Sequence, residues 1–411
     1  MKNREIDLSL RVLLGSAQCV CLALLVCLTL GTSHAQTAGI KPAALPPTII
    51  DPSVSVFLEK NVPMPGIESR RESTRLSRIV WSEVTNQIAA SAFVSAQQYV
   101  VDPDSGKAVV FEAGISGLDD TLLQWSRKQS LLIASKGVVT KVYDTAESPA
   151  QAPRLIREIK TAVPRPLIVR SVSITASGQD EWMVLGGETN RELDPGNPDI
   201  AAFSLATGQR KLEWQFPSDG TNYYLGANAS AGSNGNTILA GWVHNVIVPG
   251  IGAQRAQSTH TMWVIDLTTG KKRCEFDFEE DRIPFISLNS NEPSLSSDGR
   301  WLVMSAGWGA QMFMNIYNLE SCERVVKQRV GANPAYRNYA FSPNGKWLVA
   351  AMPMFFGDYD QGRLSMWRTS DWKLVYDAPA PAHHSAAFNK TSDRFAVGLI
   401  GNMHIYRITE R

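Results

Sequence analysis

The sequence lacks an excess of charge of either sign. Its 411 residues contain 40 Lys and Arg against 39 Asp and Glu, which gives a formal net charge of +1. Proteins dedicated to nucleic-acid binding usually carry a strong basic excess, because contacts to phosphate release counterions. We therefore expect no nucleic-acid partner. Because apolar residues make up 44% and charged residues 19%, the composition also argues against a disordered chain.

Cysteine is scarce, and long apolar runs are confined to the N-terminus. Three of the five cysteines lie in the stretch CVCLALLVCLTL at 19–30. A basic start, this apolar core and a small-x-small exit describe a secretory signal peptide over residues 1–35, cleaved after Ala35. The alternative is an uncleaved anchor over 12–30, although Gly15 interrupts that run and a spanning helix needs about 20 apolar residues.

Removal of the leader changes the numbers of charged residues and of cysteines. It takes away three basic and two acidic residues and leaves 37 of each, with two cysteines, Cys274 and Cys322. We expect an exported protein, periplasmic or secreted, with no transmembrane span after cleavage. Residues 36–52 are rich in Pro and Ala and predict an extended lead-in. A single domain over 53–411 would then follow.

Motifs for nucleotide binding and for nucleophilic catalysis are also missing. The sequence has no GxGxxG, no GxxxxGK[ST], no GxSxG and no catalytic Cys-His context. We therefore expect no cofactor and name no catalytic residue. These absences leave open an enzyme whose site combines residues from distant parts of the chain.

What the chain contains instead is a repeat. A turn followed by an apolar strand occurs as SSDGRWLVMS from Ser296, SPNGKWLVAA from Ser342 and NKTSDRFAVGL from Asn389, and in four weaker copies. Asp-Gly and Asn-Gly supply tight turns, and a Trp-Leu-Val run is typical of a buried strand. A strand–turn–strand unit follows, as in MWVIDLTTGKKRCEFDF from Met262. Equivalent turns recur roughly 40–60 residues apart, and four strands in such a period predict a β-propeller.

The SxDGxWL units resemble those of the WD40-like β-propellers over residues 70–411. The resemblance implies an all-β, seven-bladed β-propeller of four-stranded antiparallel blades. It implies little about function, because propellers host enzymes, binders and scaffolds. The Gly-His and Trp-Asp pairs of strict WD40 repeats are missing, so the Asp–His pairing of that family is not expected here.

The last repeat stops after its third strand, which would leave one edge of the propeller unpaired. An open edge leaves ladder groups without partners. We expect the segment SVSVFLEK, Ser53–Lys60, to supply the missing strand and to pair beside His404–Ile408. The last blade would then be closed by an N-terminal strand.

The sequence leaves open whether Cys274 and Cys322 pair. Each begins the predicted outermost strand of one of two adjacent blades. Outer strands of neighbouring blades diverge, whereas a disulfide needs Cα atoms about 4.4–6.8 Å apart. This placement argues against a bond.

The long connections fall on one side of the predicted fold. If the strands of a blade are named A to D from the axis outward, WVHNVIVPGIGAQRAQSTH and MPMFFGDYDQG are both B–C connections. Insertions on one face commonly mark a binding face, and drift in unconstrained loops is the alternative. The residues that we expect on the partner face are His244, Trp308, Arg337, Phe356, Asp358, His383 and His384.

Together these features predict a binding or scaffold protein for a partner protein or a surface glycan. We expect a monomer or a member of a hetero-complex, and no metal, because HxH and HExxH are absent and GDYDQG is an incomplete calcium loop. The alternative is the propeller subunit of an envelope enzyme that resembles the large chain of quinone-dependent amine dehydrogenases, or a lactonase. A lactonase needs axial carboxylates, for which Glu292 and Asp180 are the candidates.

Overall fold

The computed structural model describes most of the chain after residue 47. The compact unit Pro46–Arg411 contains all of these residues, and the unit Met1–Leu45, which includes the predicted leader, lies outside them. None of the described stretches forms a helix with the length and hydropathy of a membrane span. The described stretches are 48–67, 76–92, 97–113, 121–137, 139–145, 151–160, 168–177, 180–188, 200–214, 223–231, 237–247, 256–266, 269–277, 293–308, 311–329, 338–352, 362–380 and 385–411.

Within these stretches the strands form six four-stranded sheets and one five-stranded sheet, all antiparallel. Numbered along the chain and given in spatial order, the four-stranded sheets are β3 (Leu76–Trp81), β4 (Ile88–Ala92), β5 (Gln97–Asp102), β6 (Lys107–Ala113); β7 (Leu122–Trp125), β8 (Leu131–Lys136), β9 (Val139–Asp144), β10 (Arg154–Lys160); β11 (Ile168–Ser177), β12 (Asp180–Glu188), β13 (Ile200–Ser204), β14 (Arg210–Trp214); β15 (Tyr223–Ala231), β16 (Thr237–Ile247), β17 (Ala256–Asp266), β18 (Lys272–Asp277); β19 (Ser294–Leu295), β20 (Trp301–Trp308), β21 (Gln311–Asn318), β22 (Glu323–Arg329); and β27 (Ser385–Phe388), β28 (Arg394–Gly398), β29 (Asn402–Glu410), β2 (Val54–Pro63). The five-stranded sheet contains β23 (Asn338–Phe341), β24 (Trp347–Met352), β25 (Gly362–Arg368), β26 (Lys373–Ala380) and β1 (Thr48–Ile49). The protein is thus an all-β propeller built from four-stranded antiparallel blades.

Apolar packing between neighbouring sheets joins the blades into a ring. The first strands β3, β7, β11, β15, β19, β23 and β27 contact one another in this order, and β27 contacts β3. Each buried apolar cluster combines residues from two neighbouring sheets. Between the β3 and β27 sheets, for example, Leu76 and Ile88 pack with Met403 and Ile405. The cycle of contacts is therefore closed.

The repeated turn is stabilised by the side chains that the sequence pattern singles out. The Trp301 N–H donates to Ser296 Oγ (2.8 Å), whose hydroxyl donates to the Asp298 carboxylate. Gly299 has φ +70°, a backbone conformation that favours glycine. The turn that begins at Ser342 repeats this arrangement. The Asp-Gly and Asn-Gly turns predicted from the sequence are therefore confirmed.

The N-terminal strand completes the last sheet. β2 pairs antiparallel with β29, from Val54 opposite Glu410 to Pro63 opposite Asn402. The predicted pairing beside His404–Ile408 is therefore confirmed. Since each ladder hydrogen bond contributes about 0.5–1.5 kcal/mol net, this long pairing is a substantial part of ring closure.

The residues just before β2 hold the neighbouring blade. Thr48 and Ile49 pair with β26, so ordered structure begins before the predicted boundary at Ser53. The Asp51 carboxylate accepts a hydrogen bond from the Arg368 guanidinium (3.0 Å), which also binds Asp371 (2.8 Å). The N-terminal segment therefore links the outer edges of two adjacent sheets.

The seam between the last and first blades is very tight at Gly398. A Cβ at this position would lie 2.8 Å from both the Cβ and the carbonyl oxygen of Leu76, closer than real contacts allow. A backbone hydrogen bond crosses the same seam, from Leu76 N–H to the Leu399 carbonyl (2.9 Å). Only glycine fits this approach of β28 to β3.

Cys274 and Cys322 form a disulfide. The expectation that diverging outer strands would keep them apart was therefore wrong. Their Cα atoms are 5.5 Å apart. Cys274 lies in β18, but Cys322 lies in the turn before β22, with φ +58°. At the equivalent turn positions Gly208 and Gly270, an added Cβ would face the outer strand of the preceding sheet. The turn, and not the outer strand, therefore brings Cys322 to Cys274.

Substitution of Arg368 should reduce the loss of stability in acid. Hydrogen bonding to Arg368 lowers the pKa of Asp371 to about 2, and hydrogen bonds from Ser53 and then Arg368 lower the pKa of Asp51. Because both folded pKa values lie below the unfolded ones, this stabilisation is present above about pH 4 and is lost as the pH falls further.

Thermal unfolding followed from neutral pH down to about pH 2.5 should therefore show a shallower acid slope for Arg368→Gln than for the wild type. The matched control is Arg154→Gln, which removes an exposed ion pair with Asp144. That control should keep the wild-type slope, and equal slopes for the Arg368→Gln variant and the wild type would contradict the prediction.

Loss of the disulfide should destabilise the propeller. The bond joins residues 48 positions apart, and removal of such a bond typically costs about 2–5 kcal/mol. Thermal unfolding of Cys322→Ser should therefore begin at lower temperature than that of the wild type. A reductant should lower the wild-type melting temperature toward that of the variant and leave the variant unchanged. Reactive thiols at both positions in the native, unreduced protein would refute the bond.

Candidate functional site

Two of the seven residues predicted for the partner face lie in described strands. His244 belongs to β16, and Trp308 is the last residue of β20. Since β16–β17 and β20–β21 are the B–C hairpins of adjacent sheets, both residues lie toward the B–C end of the fold. The other five lie outside the described residues: Arg337, Phe356, Asp358, His383 and His384.

The hairpin of β16 and β17 extends past the described part of β18, whereas β15 pairs beside it as far as Tyr223 opposite Asn245. The two strands pair from Thr237 opposite Asp266 to Ile247 opposite Ala256. Pairing with the described part of β18 ends at Thr261. The hairpin continues beyond it over residues 243–247 and 256–260, which we call the β16–β17 ribbon. At about 3.4 Å per residue, the ribbon is roughly 15 Å long.

Two of the histidines considered as metal ligands lie in this hairpin. His244 lies opposite Thr259, and His260 lies opposite Val243. In the described part of the chain, no group of three side chains of the metal-binding types is assembled.

His404 occupies a strand position, as the sequence predicts. It lies in β29, where burial lowers the pKa of its imidazole. Its Nδ1 is 3.4 Å from the Tyr406 hydroxyl. This residue therefore belongs to the packing of the last sheet.

The first strands surround an axial channel that sequence reasoning did not anticipate. The cavity has a volume of about 290 Å³. Its described wall includes Ile79, Leu123 and Ile174, but these side chains are buried between the sheets, and the surface exposed to the channel is mainly polar. The charged residues in the described wall are Arg78, Glu83 and Arg127. The channel is thus a mainly polar cavity with a few ionic groups.

A buried carboxylate fixes the chain at the A–B end of this channel. Glu181, in β12, is 2% exposed. One of its carboxylate oxygens accepts the backbone N–H of Arg127 (2.7 Å), and the other accepts the hydroxyl of Ser126. Glu181 therefore ties the turn after β7 to the next sheet. The only sequence signal was the carboxylate within one of the weaker repeat copies.

The Arg127 side chain borders the channel beside this carboxylate. Burial lowers the pKa of its guanidinium, and the charges of Glu83 and Glu181 act in the opposite direction. Considering the described residues only, its guanidinium makes no hydrogen bond and no close ion pair, and the bond to Glu181 uses the backbone N–H. The described wall of the channel thus contains a cationic group whose charge is opposed by two nearby carboxylates.

The carboxylates named for a lactonase-like site are not brought together in the described part of the chain. The carboxylate of Asp180 accepts the backbone N–H of Glu181 (2.9 Å) and so takes part in the turn before β12. Glu292 lies outside the described residues. The geometry therefore adds no support for an axial metal held by this pair.

Substitution of Glu181 should lower the stability of the protein, because it leaves the Arg127 backbone N–H and the Ser126 hydroxyl without their acceptor. Buried donors left without an acceptor cost about 1–3 kcal/mol. We expect Glu181→Ala to lower the free energy of unfolding by an amount in this range, and Glu181→Gln to lower it less because one acceptor remains. Chemical denaturation measures both variants. A Glu181→Ala variant as stable as the wild type would show that the carboxylate bridge is not needed.

No protein-family model matches the chain, and neither does any of the curated proteins. Its fold is similar to that of a chain in the crystal structure of a mitotic checkpoint complex, with a TM-score of 0.58 and 16% sequence identity over 90% of this chain and 96% of that chain. It is also similar to a chain of Kuenenia stuttgartiensis hydrazine synthase, with a TM-score of 0.57 and 12% identity over 84% of this chain and 98% of that chain. At these identities the likeness shows the fold alone, a β-propeller.

Proposed function

We propose that this chain is an exported, seven-bladed binding propeller that contacts a partner protein or a surface glycan at its B–C end. The observation that carries the proposal is the length of the β16–β17 hairpin, which ends on the same side of the fold as the Trp308 hairpin. Elongated hairpins concentrated at one end of a repeat fold commonly form a binding surface.

The count of seven blades follows from treating the five-stranded sheet as a blade. Its strands β23 to β26 follow the same order as those of the six four-stranded sheets, and β1 is added at its outer edge. The apolar clusters between β20 and β24 and between β24 and β28 are of the same kind as the others. Seven blades in a closed ring are therefore the simplest interpretation.

Export is supported by two independent features. The N-terminal pattern is that of a cleaved leader ending at Ala35. The bond between Cys274 and Cys322 would persist in an oxidising compartment such as a bacterial envelope and would be reduced in most cytosols. We therefore place the protein in the periplasm or outside the cell.

A partner surface at the B–C end also agrees with the residue types found there. Aromatic side chains such as that of Trp308 provide a large contact area at low entropic cost, and histidines such as His244 add polar contacts. Protein surfaces and glycans both use such groups. The ribbon and the adjacent hairpin would present them from two neighbouring blades.

Site-specific photo-cross-linking in the native host tests this assignment. A photoreactive amino acid placed at His244 or at Trp308 should give a discrete cross-linked product with one envelope component. The matched controls are Glu320 and Lys390, which are exposed in turns at the opposite end. These control positions should give no such product.

The outcomes separate the parts of the proposal. Equal products from both ends would contradict the assignment of the binding end. The absence of a product at all four positions, with normal expression and melting temperature, would contradict a binding role.

A further inference from the structure

We propose that the Cys274–Cys322 disulfide is a redox-sensitive brace that holds the β16–β17 and β20–β21 hairpins in a fixed relative position. Reduction of this bond leaves the propeller folded and weakens its binding to the partner. The inference rests on the binding end proposed above, because these two hairpins carry His244 and Trp308.

The bond lies one strand away from each hairpin. Cys274, in β18, lies opposite Val264 of β17, and β17 continues into the ribbon. Cys322 lies in the turn that joins β21 to β22, and β21 pairs with β20 as far as Gln311 opposite Trp308. Because these ladders are continuous, a movement of one outer strand against the other is passed on to the hairpins. The bond therefore acts on their relative position from the opposite end of the blades.

Among the described residues, the inner strand of the fifth blade supports little of the β20–β21 hairpin. β19 contains two residues, Ser294 and Leu295, which pair with Val303 and Leu302. Within the described chain, the hairpin beyond Val303 is therefore held by β22 and by packing against the neighbouring sheets. In the fourth blade, by contrast, β15 pairs beside β16 as far as Asn245. The disulfide joins the hairpin with less inner support to the blade with more.

The turn at Cys322 does not need the bond to keep its shape. The equivalent turn positions Gly208, Gly270 and Trp372 also have positive φ, and none of these residues can form a disulfide. The apolar cluster between the fourth and fifth sheets consists mostly of side chains other than the two cysteines. Reduction therefore releases a constraint between the two blades and leaves them packed.

The chemistry of reduction begins at Cys322, which is half-buried, because Cys274 is 3% exposed. A thiolate of a dithiol reductant attacks Cys322 Sγ and forms a mixed disulfide, while the electron pair of the original bond passes to Cys274 Sγ, which takes up a proton. The second thiol of the reductant then attacks the reductant sulfur of the mixed disulfide, which closes the oxidised reductant and releases Cys322 as a thiol. Because the apolar surroundings of Cys274 disfavour its thiolate, the first step is readily reversed, and the second thiol is needed to complete the reduction.

Pulsed electron paramagnetic resonance on the purified protein tests the brace without the partner. Spin-labelled unnatural amino acids at His244 and Trp308 should give one narrow distance distribution in the oxidised protein and a broader one after reduction with dithiothreitol. The variant Cys322→Ser should show the broad distribution both with and without dithiothreitol. Labels at Lys136 and Glu188, at the same end of the second and third blades, form the matched control and should not respond.

Photo-cross-linking from Trp308 tests the coupling to partner binding. Because the hairpins lose their preorganisation, the yield of cross-linked product should fall at least about fivefold in the Cys322→Ser variant. An undiminished yield would overturn this coupling. The absence of a product from the oxidised wild type would contradict the proposed binding end alone, since the distances are measured without the partner.

Three results would overturn the brace itself. The first is an unchanged distance distribution in a protein whose two cysteines have been titrated as free thiols. The second is unfolding of the reduced protein at the temperature of the measurement. The third is resistance of the bond to dithiothreitol in the native protein.

Discussion

The pairing of β2 with β29 is the constraint on which the rest of the propeller depends. The blades are joined by packing between faces, and Val62 of β2 takes part in the packing that joins the last blade to the first. The chain supplies the fourth strand from its N-terminal part, so the two ends of the domain meet in one sheet. The close approach at Gly398 and the ion pairs of Arg368 lie on either side of this sheet. Closure therefore combines backbone pairing, tight packing and an exposed ionic cluster.

A second regularity determines how neighbouring blades interlock. In several blades the last residue of the C–D turn has positive φ and faces the preceding blade. At Gly270 an added Cβ would lie next to Trp214, whereas Trp372 stacks edge-on with Trp301 and Cys322 bonds to Cys274. The same backbone geometry thus allows a close contact, an aromatic contact or a covalent bond with the preceding blade, and the residue at the turn decides which of these forms.

Much of the fold could be predicted from the sequence because its information is local and repeated. Turns such as that at Ser296 are predicted by an Asp-Gly pair and the apolar strand that follows it. The missing strand of the last blade is predicted by counting the strands of each repeat. The disulfide was not predictable in this way, because the position of Cys322 in the turn depends on one left-handed residue. The channel residues Glu181 and Arg127 were missed for a related reason. They lie in weak copies of the repeat, and their proximity arises only when two sheets pack together.

The described part of the molecule thus has two distinct regions, a long β16–β17 hairpin at the B–C end and an axial channel bordered by Arg127 at its A–B end. Both depend on a closed ring, because an open ring would let the first strands separate. Amide hydrogen exchange of the native protein tests closure most directly. The account predicts that β29 is as well protected as its neighbour β28 within the same sheet. It would be contradicted if β29 exchanged as fast as β22, an outer strand at the edge of its sheet.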